Sequence, residues 1–100
     1  MPSSSLPFEG LRIVAIEQAV SVPFCTRQFS DLGADVIKIE PPEGDNARNL
    51  RSSVATHLPL SPVYLGYNRG KRVVRLDLRK AEDRARAEAL VVGADVLIES

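Results

Sequence analysis

The pentapeptide Gly33-Ala34-Asp35-Val36-Ile37 returns near the end of the chain as Gly93-Ala94-Asp95-Val96-Leu97. Each copy stands between a helix-length segment and a short apolar run that ends in an acid. Glycine closes helices because it tolerates the left-handed backbone of a helix C-terminus, and β-branched residues fit a pleated, half-buried surface. The recurrence is read as a shared helix-stop and strand-start solution rather than a duplication. It constrains the fold nonetheless, because helices that alternate with short strands require crossover connections and a largely parallel sheet.

The rest of the pattern agrees. Residues 1–9 are polar and marked by proline, a flexible lead-in, and residues 10–100 read as one α/β unit. Arg12–Ile16 is a short, apolar strand of the buried kind. Phe24, Cys25, Phe29 and Leu32 recur at helical spacing, which predicts a helix over 23–32 packed through those side chains, with Pro23 in its first turn and Gly33 past its end. Asp35–Glu40 is the second strand, ended by Pro41-Pro42, since proline cannot donate to a ladder. Residues 41–63 have loop composition, and 64–67 make at most a helical turn. A third strand is predicted over 73–78 and a second main helix over 80–92, with Ala81, Ala85, Ala89 and Val92 on its inner face. A fourth strand spans 95–99. The expected fold is a Rossmann-like partial domain of about four strands and two main helices.

Thirteen basic and thirteen acidic residues cancel, so no long-range field gathers nucleic acid or an anionic membrane, and any anion site must be local. The single cysteine, Cys25, has no intrachain partner; it is read as a core residue, and a reducing cytoplasm is the simpler compartment. No run approaches the roughly 18 apolar residues of a spanning helix. The apolar run at the end of the chain reads as a truncated polypeptide, whose uncovered sheet edge is expected to promote association.

In parallel α/β sheets, ligands bind beyond the carboxyl ends of the strands, so the turn after the first strand, Glu17 to Pro23, is the informative one. It contains no glycine, which removes the fingerprint of a nicotinamide or flavin site, and there is no P-loop. His57 is the only histidine and has no nucleophile elbow to serve; one Cys and one His do not make a metal site. Arg69, Lys71, Arg72, Arg75 and Arg79 concentrate positive charge around the third strand. The group reads either as a solvated turn and edge or as a phosphate contact.

Motif order is more specific than any one motif. Phe8-Glu9-Gly10-Leu11-Arg12-Ile13-Val14, Pro23-Phe24-Cys25-Thr26-Arg27-Gln28 and Asp31 to Glu40 resemble the opening of family III coenzyme A transferases. Asn68-Arg69-Gly70-Lys71-Arg72, Leu76-Asp77-Leu78-Arg79 and Gly93 to Glu99 continue the resemblance in order. That family includes formyl-, carnitine- and dicarboxylate-specific transferases and the α-methylacyl-coenzyme A racemases. The stretches Glu17-Gln18-Ala19-Val20 and Pro23 to Gln28 look most like its mesaconate, citramalate or itaconate branch.

The resemblance implies that residues 10–100 are the N-terminal part of a larger Rossmann-like domain within an interlocked homodimer. It implies coenzyme A or an acyl-coenzyme A as substrate, with a small carboxylic acid as second partner and no metal. Gln18, Ala19 and Val20, Leu76, Asp77, Leu78 and Arg79, and Ser100 match the family's coenzyme-binding positions. The family's catalytic aspartate lies beyond position 100, so no catalytic residue is assigned within this chain. Two departures stand out: Pro41 replaces a common arginine, and Ser21-Val22-Pro23 replaces a common Ala-Gly-Pro. A racemase and a noncatalytic interaction module are the alternatives.

Overall fold

The structure is a computed structural model that describes residues 6–18, 21–45 and 62–99. Its elements run β1 (Arg12–Ile16), α1 (Ser21–Asp31), β2 (Asp35–Glu40), α2 (Pro62–Asn68), β3 (Arg72–Arg75), α3 (Ala81–Val92) and β4 (Val96–Glu99). The four strands form one all-parallel sheet in the order β3-β2-β1-β4. β1 sits centrally with Ile13 beside Val36 and Val96, so the first strand of the sequence is a middle strand of the sheet.

The two faces of the sheet are covered differently. Val14, Ile37 and Ile39 pack with Leu76, Ala87, Leu90 and Val91 into an apolar layer under α3. On the opposite face Ile13, Ala34 and Val36 pack with Phe8, Leu11, Phe29 and Ile98. Alternation along β2 then sends Lys38 and Glu40 to the same side as Val36, where both are fully buried.

The recurring pentapeptides start their strands alike and close their helices differently. Asp35 and Asp95 donate their backbone N–H groups to the carbonyls of Leu11 and Arg12, at 2.8 and 2.9 Å, which seats β2 and β4 on either side of β1. Gly33 has φ of 104°, with Gly33 N–H donating to Ser30 O and Ala34 N–H to Phe29 O, the two bonds of a Schellman closure. A Cβ there would stand 2.8 Å from Leu6 Cβ, so glycine is required twice over. Gly93 has φ of −84° and room for a side chain. Only the first glycine is a conformational necessity.

Three sequence expectations need correction. The inner face of α1 is Pro23 and Thr26, with Phe29 half-buried, while Phe24, Cys25 and Leu32 are exposed. Thr26 is drawn inward by a hydrogen bond to buried Glu17, which rotates the aromatic and thiol side chains outward. The inner face of α3 is Asp83, Ala87, Leu90 and Val91, whereas Ala81, Ala85, Ala89 and Val92 face outward, Val92 at 86% exposure. Burying Leu90 and Val91 removes more apolar area from water than burying alanines. β3 also ends at Arg75 rather than at 78. Leu76 still donates to Glu40 O, but the Asp77 N–H is taken by the Asp83 carboxylate at 2.8 Å, and Lys80 N–H closes a turn onto Asp77 O. The helical turn expected near 64–67 is the seven-residue helix α2, opened by Pro62, whose missing N–H costs nothing in a first turn.

Candidate functional site

Beyond the carboxyl ends of β1, β2 and β3 the chain borders an open cavity of about 430 Å³. Its lining comes from Ile16, Glu17 and Gln18 after β1, from Ile39 to Glu43 around the end of β2, and from Leu76 to Arg79 after β3. The chain turns at Pro41–Gly44, where Gly44 N–H donates to Pro41 O at 2.8 Å. Pro42 occupies the second position of that turn, which its fixed φ suits, and Gly44 has φ of 86°. Three chain segments are thus folded back around one hollow at the end of the sheet where such folds bind ligands.

Gln18, Leu76, Asp77, Leu78 and Arg79 therefore meet at one cavity. Leu76 is buried, Asp77 and Leu78 are half-buried, and Gln18 and Arg79 are exposed. Ala19, Val20 and Ser100 lie outside the described residues, as does His57. Arg79 is the one cation among the described lining residues. Its Nε and Nη2 donate to Asp77 Oδ1 and Oδ2 at 2.9 and 3.2 Å, and its backbone N–H reaches Oδ1 at 3.0 Å. The guanidinium hydrogen bond holds the Asp77 carboxyl below the ordinary aspartate range and raises Arg79 further above its own.

The rest of the basic group is divided. Arg72 donates to both oxygens of Asp35, and Arg69 to both of Asp31, at the amino-end side of the sheet and away from the cavity. Those bonds lower the Asp31 and Asp35 pKa values, Arg69 acting on the first and Arg72, then Arg12, on the second. Arg75 Nη1 donates to Pro42 O at 3.4 Å, bracing the turn at the cavity rim.

Lys71 turns inward, into a cluster that spacing alone did not reveal. Glu17 Oε1 accepts from Thr26 Oγ1, and Glu17 Oε2 accepts from Lys38 Nζ at 3.1 Å and Lys71 Nζ at 2.6 Å. Lys38 also meets Asp45 Oδ2 at 2.8 Å and donates to Glu17 O at 3.4 Å. Lys71 completes its set with Asn68 Oδ1 and Pro23 O, at 2.9 and 3.0 Å. Lys71 thus fills its three donors without water, and Lys38 donates twice to Glu17 with the Asp45 carboxylate close against it, which is what burial of a lysine demands. Burial lowers the Lys71 pKa, against the opposing pull of Glu17. Glu40 lies alongside, accepting from Tyr64 OH on α2 and from the Asp45 N–H at 3.0 Å. A sequence signal did exist: a lysine within a strand buried on both faces needs an acidic partner, and Glu17, one residue past β1, continues the parity of Ala15, which pairs with Lys38.

Among the described residues no group of three His, Cys, Asp or Glu side chains could hold a metal ion, and no helix is long and apolar enough to cross a membrane.

Residues 8–100 match CoA-transferase family III. The chain belongs to that family. It is 40% identical over 96 residues to a succinyl-CoA:mesaconate CoA-transferase of Haloarcula hispanica, covering 92% of this chain and 24% of that protein. It is 36% identical over 102 residues to Rv3272 of Mycobacterium tuberculosis, a probable fatty acyl-CoA transferase, covering 100% of this chain and 26% of the other. The crystal structure of a CAIB/BAIF family protein from Brucella suis superposes with a TM-score of 0.84 at 35% identity, covering 95% of this chain and 26% of that one. The chain spans about a quarter of the length of the family members it matches.

Proposed function

We propose that this segment holds coenzyme A for an acyl-CoA:carboxylate CoA-transferase, residues 10–100 being the N-terminal part of its Rossmann-like domain. The observation that carries the reading is the cavity itself: it lies at the carboxyl ends of a parallel sheet, and Gln18 and Leu76 to Arg79, matched to the family by motif, converge on it. Ala19, Val20 and Ser100 belong to the same proposed site by motif. Arg79 is the group suited to an anionic part of the coenzyme, once its pair with Asp77 opens. Several transferases among its relatives are named for small dicarboxylic acids, mesaconate and oxalate among them, so an acid of that class is the proposed second substrate.

The chemistry belongs to an aspartate outside this segment. Its carboxylate oxygen attacks the thioester carbonyl and expels the coenzyme A thiolate, giving a mixed anhydride. The thiolate then attacks the aspartyl carbonyl and releases the original carboxylate; the acceptor acid repeats the two steps in reverse. What this segment contributes is orientation of the coenzyme, the part of catalysis that converts collision into a positioned encounter. A homodimer in the cytoplasm completes the proposal.

The test uses the complete natural polypeptide that carries residues 1–100. Calorimetric titration with coenzyme A should show saturable binding, weakened on the order of tenfold or more by Arg79→Glu. Absence of binding, or an unchanged affinity in the variant, would remove the site. Transfer of coenzyme A from succinyl-coenzyme A to a dicarboxylic acid supports the transferase; exchange of an α-proton without transfer would favour a racemase, and neither activity a noncatalytic module.

A further inference from the structure

The cavity is built against a buried ionic cluster: Glu17 and Glu40 belong to its wall, Lys38 and Asp45 do not, and Lys38 is the pivot between wall and cluster. Lys38 lies beneath the sheet end with its side chain fully buried. It pairs on one side with Glu17, the first residue after β1 and part of the cavity wall, and on the other with Asp45, just beyond the Pro41–Gly44 turn. Asp45 in turn gives its backbone N–H to Glu40, a second wall residue. The turn that carries Pro41, Pro42 and Glu43 into the rim is therefore tied at both ends to the same cluster.

Resting on the coenzyme reading of the cavity, we propose that Lys38 and Asp45 are positioning residues that set the cavity rim. Neither lines the cavity, so their effect passes through Glu17 and through the turn at 41–44. A buried pair is an expensive way to gain stability, since two charges must leave water. Its geometric consequence is specific: two oxygens at 2.8 and 3.1 Å from one nitrogen hold the two walls in a fixed relation.

The experiment separates positioning from stability by removing both charges together. Lys38→Met with Asp45→Asn leaves no unpaired charge of that pair, and Glu17 keeps Lys71, so the complete natural polypeptide should retain a melting temperature close to wild type. Two readouts follow. Hydrogen exchange at the Gly44 and Asp45 amides should accelerate at least tenfold, and coenzyme A affinity should fall about tenfold. Wild-type exchange at both amides, or wild-type affinity in a double variant whose exchange is faster, would overturn the proposal. Should the double variant not fold, Asp45→Asn alone is read by the same two measurements against the same limits. If wild type itself does not bind coenzyme A, the coenzyme reading fails, while the exchange measurement still decides whether Lys38 and Asp45 hold the turn.

Discussion

The two faces of this sheet solve opposite problems with the same strand. On β2, Ile37 and Ile39 face α3 and join an apolar layer that needs only shape and size. Val36, Lys38 and Glu40 face α1 and α2, and two of those three are charges with no contact to water. The apolar face holds the layers together. The charged face fixes where chain segments end, because hydrogen-bonded charges accept few alternative geometries. The cavity lies at the strand ends between the two: Ile16, Ile39, Leu76 and Leu78 come from the apolar layer and Glu17 and Glu40 from the charged face, so part of its shape depends on the less forgiving half of the core.

Single substitutions on neighbouring residues of β2 should separate the two faces. The largest effect is expected from Lys38→Met, which removes the ammonium shared by Asp45 and Glu17 and leaves Glu17 with Thr26 and Lys71; loss of one member of such a buried pair costs about 3–5 kcal/mol. Denaturant unfolding of the complete polypeptide would measure it. Ile37→Ala, one residue away and on the apolar face, should cost about 2–5 kcal/mol through lost transfer energy and a cavity. The two differ in what they disturb: Ile37→Ala should leave amide exchange at Gly44 and Asp45 near wild type, and Lys38→Met should not. Thr26→Val, which removes one hydrogen bond from Glu17 at nearly constant volume, should cost about 1–3 kcal/mol.

A smaller effect is expected from pH. Asp31, Asp35 and Asp77 have folded pKa values depressed by arginines, so their stabilisation is complete above the unfolded aspartate value of about 3.9 and is lost as pH falls through the folded values. Melting temperatures should therefore decline below about pH 4. Replacing Arg72 with Ala should flatten part of that decline by leaving Asp35 with Arg12 alone, while costing no more than about 1 kcal/mol at neutral pH because the pair is solvent-exposed. A stability curve indifferent to Arg72 in acid would contradict the assignment.

How much of this was legible in the sequence follows the same division. β1 and β2 were readable to the residue, because β-branched runs bounded by prolines or polar residues admit few alternatives. The parallel sense of the sheet, though not the order of its strands, followed from strand and helix alternation. Helix faces were misread where alanines or exposed aromatics supplied the right period: Ala81, Ala85 and Ala89 match a helical spacing as well as Ala87, Leu90 and Val91 do, and only the area buried decides between them. Thr26 was missed because its burial is set by Glu17, which precedes it on another element. Gln18 and Leu76 to Arg79 stand out by motif, and the structure brings them to one cavity; the cluster of Glu17, Lys38, Asp45 and Lys71 joins four separate stretches of chain, and no local pattern announces such a meeting.

The most direct measurement is a crystal structure of the complete natural polypeptide with coenzyme A bound. The expected result is a coenzyme in contact, within about 4 Å, with Gln18 and with Leu76 to Arg79, the Arg79 guanidinium turned from Asp77 to the ligand. A coenzyme bound elsewhere, with this cavity open and the Asp77 to Arg79 pair intact, would contradict it.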